Sequence, residues 1–389
     1  MQQTMKKIAI VVGTRPECIK MAPVYFAIEK SSRLQPVLLA TAQHRQMLDQ
    51  AMGVFGIKPD FDLNLMQVGQ SLEGLTARLL TAVSDWCEAE KPDAILVQGD
   101  TTTVLATALS AFYKNIPVGH VEAGLRTGNM RMPFPEEMNR RLTTPLARWN
   151  FCPTDVSREN LLREGVAPET LFVTGNTVID ALNWVRDHFA ELGVNCEYVV
   201  FNCKIPESFA DLFLRNTSAR WVLVTGHRRE SFGAGFENLC SAILQLTRRY
   251  KDIGFLFPVH LNPQVRKTVY ERLGHEPRIA LIEPVNYPQF VWLMSRAFFI
   301  LSDSGGVQEE APSLGKPVLV TRDTTERPEA VSAGACRLVG VNKEAIVTEA
   351  SLLLDDPLEY ELRSKIANPY GDGRSSERIR TILEGDTSL

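Results

Sequence analysis

Residues Ile8–Pro16 read IAIVVGTRP, and this stretch predicts the fold class of the chain. Its five consecutive apolar residues predict a strand that is buried on both faces. The glycine that follows predicts a turn, and a helical pattern over 17–30 begins just after the proline. A buried strand that leads directly into a helix is typical of an α/β protein with a parallel sheet.

The same alternation continues through the first half of the chain. Apolar runs over 37–40, 94–97 and 117–121 predict further strands, and helical patterns cover 43–55, 71–90 and 103–114. Asp100 follows the strand at 94–97, and Glu122 follows the strand at 117–121. Because parallel sheets bind ligands at the carboxyl ends of their strands, both carboxylates are predicted site residues.

The pattern then starts again at residue 221. A strand over 221–225 leads into Gly226-His227-Arg228-Arg229-Glu230, which repeats the order glycine, polar residue, arginine, one residue, glutamate seen at 13–17. Strands over 255–259, 279–282, 298–302 and 318–320 complete the second set. We predict two Rossmann-like domains, residues 1–185 and residues 186–369, with a last helix in 370–389 packing back on the first domain.

Composition excludes several classes of protein. The 389 residues carry 42 Lys and Arg against 46 Asp and Glu, a net charge of −4. So mild a charge argues against a nonspecific nucleic-acid or membrane-surface binder. No apolar run reaches the ~18 residues of a transmembrane helix, and the apolar run at 8–12 is too short for a signal peptide.

The cysteines and glycines bear on cofactors and location. The seven cysteines are scattered and include no C-x-x-C, which favours reduced thiols in a cytoplasmic enzyme over a disulfide framework or a zinc site. No G-x-G-x-x-G motif follows a strand, so a tightly bound nicotinamide is disfavoured. We therefore expect no cofactor and no metal.

The strongest local signal for ligand binding is the segment Ser302–Glu310, which reads SDSGGVQEE. A strand ends there, a Ser-Gly-Gly turn follows and a helix begins, so backbone N–H groups could approach a diphosphate. Glu310 lies about one turn into the helix, where its carboxylate could bind two hydroxyls of a ribose. The alternative is a plain glycine turn with a surface glutamate.

Cations accompany this turn, and each alone is more often a solvated or structural residue. They share a location after predicted strands, which favours phosphate binding. These cationic candidates are Arg15, Lys20, His227, Arg228 and Arg327.

The carboxylates Asp100, Glu122 and Glu136 are the acid/base candidates, and two of them have a structural alternative. Asp100 could cap the helix that follows it. Glu136 and Arg140 are four residues apart on one helix, so Glu136 could serve only a salt bridge. Among the histidines, His120 lies inside a strand and is predicted to belong to the core.

Taken together, these motifs resemble the bacterial non-hydrolysing UDP-N-acetylglucosamine 2-epimerases. The resemblance covers almost the whole chain. The motifs that carry it are GTRPE (13–17), QGDTTT (98–103), HVEAGLRT (120–127), PEE-x-NR (135–140), TGHRRE (225–230), SDSGG (302–306) and RDTTERPE (322–329).

This resemblance implies a GT-B-like fold in which two Rossmann-like parallel-sheet domains place the active site in the interdomain cleft. It implies a homodimer that binds UDP-GlcNAc and UDP-ManNAc and interconverts them at C2 of the sugar. The implied route eliminates UDP to give a 2-acetamidoglucal intermediate and then adds it back. The product would supply N-acetylmannosamine units to cell-envelope polysaccharides.

The resemblance also implies roles for residues, carried over by motif. The implied catalytic residues are Asp100, Glu122, Glu136 and His227. The implied substrate-binding residues are Arg15, Lys20, Asp100, Glu122, Arg140, His227, Phe290, Ser304, Gly305, Gly306, Glu310 and Arg327. Some family members bind a second UDP-GlcNAc as an activator, and the positions that match are Gln43, Gln46, Gln70, Glu136, Arg228 and His260.

Three other functions remain open from the sequence. A hydrolysing 2-epimerase would release free ManNAc and UDP. A GT-B glycosyltransferase would share the fold and the Ser-Gly-Gly element but would need an acceptor. A sugar-nucleotide sensor would bind without turnover, and it would leave three clustered acids unexplained.

Overall fold

The computed structural model of the chain describes residues 5–42, 45–67, 69–228, 233–387 and 389. These residues form two compact units. The N-terminal unit comprises Met1–Trp184 and Tyr370–Leu389, and the C-terminal unit comprises Val185–Pro369.

Seven parallel strands form the sheet of the N-terminal unit. They are β1 (Lys6–Val12), β2 (Leu34–Ala40), β3 (Phe61–Asp62), β4 (Ala94–Gln98), β5 (Val118–Val121), β6 (Trp149–Cys152) and β7 (Leu171–Val173). Their order across the sheet is β3-β2-β1-β4-β5-β6-β7. The strand order reverses between β1 and β4, which makes the carboxyl ends of these two strands a topological switch point.

Helices alternate with these strands and cover both faces of the sheet. They are α1 (Arg15–Glu29), α2 (Arg45–Phe55), α3 (Leu72–Glu90), α4 (Thr102–Tyr113), α5 (Glu136–Thr143), α6 (Asp155–Arg163) and α7 (Thr177–Asp187), which runs into the C-terminal unit.

Six parallel strands form the sheet of the C-terminal unit. They are β8 (Arg220–Thr225), β9 (Ile253–Pro258), β10 (Ile279–Ile282), β11 (Phe299–Ser302), β12 (Val318–Val320) and β13 (Cys336–Leu338). Their order is β10-β9-β8-β11-β12-β13, so the switch point of this unit lies between β8 and β11.

The helices of the C-terminal unit are α8 (Cys196–Asn202), α9 (Glu207–Phe209), α10 (Ala234–Arg249), α11 (Pro263–Leu273), α12 (Tyr287–Arg296), α13 (Gly305–Glu310), α14 (Pro328–Ala333), α15 (Lys343–Asp355) and α16 (Pro357–Ser364). The last helix of the chain, α17 (Ser375–Gly385), packs against α1 of the N-terminal unit. Asp180 on α7 accepts hydrogen bonds from the backbone N–H groups of Ser375 and Ser376, at 3.2 and 2.8 Å, and so anchors the start of α17.

Each unit has its own apolar core, built by the strand patterns seen in the sequence. Ile8–Val12 is fully buried, as the continuous apolar run predicts. In the second sheet the same holds for Trp221–Val224. None of the helices in the described part of the chain combines the length and the apolar character that crossing a bilayer requires. The prediction of two parallel-sheet domains with interleaved helices is confirmed.

Candidate functional site

The turn between β1 and α1 is built around a buried carboxylate. Glu17 lies in the first turn of α1, and its Oε2 accepts hydrogen bonds from the backbone N–H groups of Gly13 and Thr14, both at 2.7 Å. This arrangement holds Arg15 as the first residue of the helix. Burial raises the pKa of the Glu17 carboxyl, and its hydrogen bonds offset only part of that effect.

Gly13 is required by the close approach of the neighbouring turns. A Cβ at this position would lie 2.5 Å from the hydroxyl oxygens of both Thr41 and Thr103. Real Cβ atoms do not tolerate that distance, so only glycine allows the turn after β1 to pack here.

Asp100 follows β4 and forms an ion pair rather than a helix cap. Its Oδ2 lies 2.5 Å from Nη2 of Arg140. The residue that caps α4 is Thr101, whose hydroxyl accepts from the backbone N–H of Val104 at 3.3 Å. The same hydroxyl donates to Oε1 of Glu17 at 2.5 Å. This hydrogen bond links the segment after β1 to the segment after β4 at the switch point.

Glu122 follows β5 in a strained conformation. Its φ of +66° lies in the left-handed region that non-glycine residues rarely adopt. Its carboxylate is largely buried, with Oε2 2.5 Å from Nζ of Lys20 and accepting from the side-chain amide of Gln98. The prediction placed Lys20 and Glu122 in one site, and the structure brings them into direct contact.

Helix α5 presents two neighbouring glutamates with different surroundings. Glu137 is fully buried and accepts from the backbone N–H groups of Thr127 and Gly128 while also contacting Arg140. Glu136 is half-buried, and its Oε2 is shielded from solvent with no hydrogen-bond partner among the described residues. The salt-bridge alternative for Glu136 is therefore wrong, because Arg140 pairs with Asp100 and Glu137 instead.

His120 belongs to the core, as predicted. It is fully buried on β5, and its Nε2 lies 2.7 Å from the carbonyl oxygen of Gly99. Burial lowers the pKa of His120 to about 4, so the ring is neutral at pH 7 and donates this hydrogen bond.

In the C-terminal unit the turn after β8 is also held by a carboxylate. Oδ2 of Asp303 accepts from the backbone N–H groups of His227 and Arg228, both at 2.8 Å. Oδ1 of Asp303 lies 2.9 Å from Nδ1 of His227. The predicted match between Glu230 and Glu17 concerns residues 229–232, which lie outside the described residues.

The Ser-Gly-Gly turn follows β11 as predicted. The backbone N–H of Ser304 donates to the hydroxyl of Ser302 at 3.0 Å, and α13 starts at Gly305 and includes Gly306. The guanidinium of Arg327 lies beside this turn, since a Cβ on Gly305 would be 3.6 Å from its Cζ. Glu309 is buried, and its Oε1 accepts a hydrogen bond from Nε of Arg327 at 2.5 Å. This bond holds Arg327, the predicted phosphate ligand, beside the turn.

Glu310 and Phe290 lie on neighbouring elements of the same unit. Glu310 is buried at the end of α13, and its Oε1 accepts from the hydroxyl of Tyr287 at 2.7 Å. Phe290 is half-buried on α12, the helix that Tyr287 begins. The alternative in which Glu310 is a surface glutamate is therefore wrong.

The residues predicted to bind an activator are spread over both units. In the N-terminal unit Gln43 lies outside the described residues, Gln46 is exposed on α2, and Oε1 of Gln70 accepts from Arg78 at 2.6 Å. In the C-terminal unit Nη1 of Arg228 lies 3.5 Å from Oε1 of Glu326, and the rings of His227 and His260 are 6.2 Å apart.

Sequence reasoning missed the residues that support the predicted ones. All but Tyr287 lie within a quoted motif, but the sequence does not show which groups they contact. They are Glu17, Gln98, Glu137, Tyr287, Asp303 and Glu309. Across the described ranges, no three side chains of His, Cys, Asp or Glu are grouped as metal ligands would be.

Comparison with known proteins assigns the chain to a family. A family model described as UDP-N-acetylglucosamine 2-epimerase matches residues 26–384. A UDP-N-acetylglucosamine 2-epimerase of Escherichia coli is 52% identical over 387 residues, covering 98% of this chain and 99% of that protein.

Solved structures agree over the same length. The UDP-GlcNAc 2-epimerase from Neisseria meningitidis bound to UDP-GlcNAc matches with a TM-score of 0.85 and 46% identity, covering 98% of this chain and all of that one. The enzyme from Methanocaldococcus jannaschii in complex with UDP-GlcNAc and UDP matches with a TM-score of 0.77 and 35% identity at the same coverage. The predicted GT-B-like fold is thereby confirmed, and the chain belongs to the UDP-N-acetylglucosamine 2-epimerase family.

Proposed function

We propose that this chain interconverts UDP-N-acetylglucosamine and UDP-N-acetylmannosamine at C2 without releasing free sugar and without a cofactor. The observation that carries the proposal is the group of three carboxylates in the N-terminal unit, two of them paired with cations. Asp100 contacts Arg140, Glu122 contacts Lys20, and Glu136 lies on the same helix as Arg140. The relatives are named UDP-N-acetylglucosamine 2-epimerases, which supports the 2-epimerisation itself.

The chemistry needs an elimination, because the C2 proton of the sugar is not acidic. In the proposed first step a carboxylate takes the C2 proton, the C1–C2 double bond forms, and the C1–O bond breaks with its electron pair leaving on UDP. The intermediate is 2-acetamidoglucal. In the second step C2 is protonated on the opposite face, and a diphosphate oxygen of UDP bonds to C1.

The contacts divide the three acids between supporting and proton-transferring roles. Asp100 and Glu122 are held by cations, so moving either carboxylate would break an ion pair. Glu136 has a shielded oxygen that no described group engages, and it can bind a proton without such a loss. We therefore propose Glu136 as one of the two proton-transferring groups and leave the second face to Asp100 or Glu122.

The leaving diphosphate needs positive charge. We propose that Arg15, His227 and Arg327 and the turn Ser304–Gly306 bind the diphosphate, and that Glu310 and Phe290 bind the nucleoside. A general base contributes about 10²–10⁴-fold, and each preorganised donor contributes about 10²–10³-fold. Several such groups together reach the acceleration of about 10⁶-fold or more that is typical of enzymes.

Product analysis tests the proposal against its alternatives. The purified protein is incubated with UDP-GlcNAc alone, and the products are followed by NMR. We expect UDP-ManNAc with no free sugar. Free ManNAc with UDP would indicate a hydrolysing epimerase, dependence on an added acceptor would indicate a glycosyltransferase, and binding without turnover would indicate a sensor.

A second UDP-GlcNAc as activator remains a proposal for Gln43, Gln46, Gln70, Glu136, Arg228 and His260. The Glu326 carboxylate contacts both Arg228 and Arg322. Burial acts to raise the pKa of Glu326, but hydrogen bonds from Arg322 outweigh it and lower the pKa to about 2. Glu326 is therefore an anion at neutral pH and pairs with Arg228. If the activator binds there, UDP-ManNAc alone should turn over slowly until a trace of UDP-GlcNAc is added. Equal rates with and without UDP-GlcNAc would remove this proposal.

We also propose that the protein is a homodimer in the cytoplasm and that its product feeds synthesis of cell-envelope polysaccharides. Light scattering on the purified protein would test the first point, with twice the mass of one chain as the expected result. Deletion of the gene would test the last, with loss of N-acetylmannosamine from the envelope as the expected result.

A further inference from the structure

His227 and Asp303 form a pair at the switch point of the C-terminal unit. Asp303 is 1% exposed, and one of its oxygens, Oδ2, accepts from the backbone N–H groups of residues 227 and 228. The other oxygen, Oδ1, lies 2.9 Å from Nδ1 of the His227 ring, a close contact that falls outside regular hydrogen-bond geometry. One carboxylate thus binds the backbone of His227 and lies directly against its ring.

The chemistry of the two groups determines where the ring proton lies. Burial acts to raise the pKa of the Asp303 carboxyl, but the contacts from the His227 side chain and the two backbone N–H groups outweigh it and lower the pKa. An ionised carboxylate only accepts hydrogen bonds, so a carboxylate oxygen 2.9 Å from Nδ1 favours the ring tautomer that carries its proton on Nδ1. The His227 side chain is 46% exposed, so part of the ring is accessible to a ligand.

We propose that Asp303 is a positioning residue that holds His227 with its proton on Nδ1, so that Nε2 is the only ring nitrogen that can exchange a proton with a substrate. The part of this inference that concerns turnover rests on the function proposed above. The part that concerns the tautomer does not.

A purely structural role for Asp303 would need only its two backbone contacts. The N-terminal unit provides an example of that simpler role, since Asp180 accepts from two consecutive backbone N–H groups at the start of α17. Asp180 is also buried, and among the described residues it contacts the start of α17 rather than a histidine. It is therefore a matched control for the loss of a buried, backbone-binding carboxylate.

The test replaces Asp303 by asparagine in the full-length chain. The amide oxygen can still accept from the backbone of residues 227 and 228, but the amide NH₂ facing Nδ1 can only donate. The His227 proton should therefore move to Nε2. The measurement is ¹⁵N NMR of the histidine rings without any ligand, with His227→Asn identifying the resonance among the six histidines.

We expect Nδ1–H in the unaltered protein, Nε2–H in Asp303→Asn, and Nδ1–H again in Asp180→Asn. We also expect kcat of Asp303→Asn to fall by about a hundredfold or more while KM for UDP-GlcNAc changes little, because the wrong nitrogen carries the proton. The Asp180→Asn variant should keep its kcat even if it is less stable.

Three results would overturn the inference. They are Nε2–H in the unaltered protein, an unchanged tautomer in Asp303→Asn, and a switched tautomer with normal kcat. If a variant fails to fold, the spectrum of the unaltered protein still tests the inference, because it shows which ring nitrogen of His227 carries the proton. Because the tautomer is read without turnover, a chain that does not epimerise would contradict the proposed function but would leave the tautomer result to stand on its own.

Discussion

The turn after β1 and the turn after β8 occupy the same position in their sheets, yet the carboxylate that binds each turn comes from a different element. In the N-terminal unit Glu17 comes from the helix that follows the turn, and Thr101 of the neighbouring turn donates to it. In the C-terminal unit Asp303 comes from the neighbouring turn and accepts from residues 227 and 228. Both links cross the switch point between the first and fourth strands of the sheet.

The difference shows how one topology supports two kinds of chemistry. A carboxylate supplied locally, by Glu17, is occupied by the backbone and by Thr101, and the turn presents the cation of Arg15. A carboxylate supplied by the neighbouring strand, from Asp303, has a second oxygen available for the His227 ring. In the function proposed above, the first turn binds an anion and the second exchanges a proton.

The largest expected effects concern the side chains that the two turns present. Arg15→Ala and His227→Ala should each lower turnover by about a hundredfold or more, because each removes a group proposed to act on the leaving diphosphate. Steady-state kinetics with UDP-GlcNAc provides the measurement. Arg33→Ala, which removes an exposed arginine of the N-terminal unit, is the control and should be near normal. A near-normal rate for either turn variant would remove that turn from the mechanism.

A smaller effect is expected from the glycines that begin the two turns. Gly13→Ala should destabilise the fold by about 1–3 kcal/mol, because its Cβ would lie 2.5 Å from two threonine hydroxyls. Gly226→Ala should lower the free energy of unfolding by less, about 1 kcal/mol. Its Cβ would lie 3.1 Å from the ring of Phe236, and this ring can shift by a few tenths of an ångström.

Urea denaturation followed by circular dichroism would measure both changes. Gly53→Ala, on α2 with no atom within 4 Å of the added Cβ, is the control and should stabilise the protein by up to ~1 kcal/mol. An order in which Gly226→Ala costs more than Gly13→Ala would contradict the tighter packing of the first turn.

The smallest expected effect is a difference in pH dependence between the two carboxylates. Burial raises the pKa of Glu17 above 4.5 in the folded state, so its contribution to stability is present below that value and is lost as the pH rises through the folded pKa. The net pKa of Asp303 is lowered below 3.8, so its contribution is present above that value and is lost as the pH falls through the folded pKa.

Urea denaturation of Glu17→Gln and Asp303→Asn between pH 3 and pH 6 would test these opposite signs. Relative to the unaltered protein, the deficit of Glu17→Gln should shrink as the pH rises, and the deficit of Asp303→Asn should grow. Two slopes of the same sign would contradict the described surroundings of one of the carboxylates.

The strands could be predicted from sequence because a strand buried on both faces is a run of consecutive apolar residues. The predicted strands at 279–282 and 318–320 match β10 and β12 at both ends, and the predicted helix at 71–90 differs from α3 by one residue. Motif position also indicated Lys20 and Glu122, although their direct contact depends on how the tertiary structure brings α1 to the residue that follows β5.

The supporting residues could not be predicted, because their partners are set by tertiary structure. A spacing of four on α5 favoured a pair between Glu136 and Arg140, whereas the structure pairs Arg140 with Glu137 and with Asp100, which lies 40 positions earlier in the chain. Asp303 stands in a quoted motif, but only the order of β8 and β11 brings it to the turn it holds.

The central claim is that UDP leaves C1 of the sugar and returns, and positional isotope exchange tests it most directly. UDP-GlcNAc carrying ¹⁸O in the bridge between C1 and the β-phosphate is incubated with the protein, and ³¹P NMR follows the label. We predict that ¹⁸O moves into the non-bridging positions of the β-phosphate during epimerisation, because the freed phosphate can rotate before it bonds again. Complete epimerisation with all of the label still in the bridge would contradict the account.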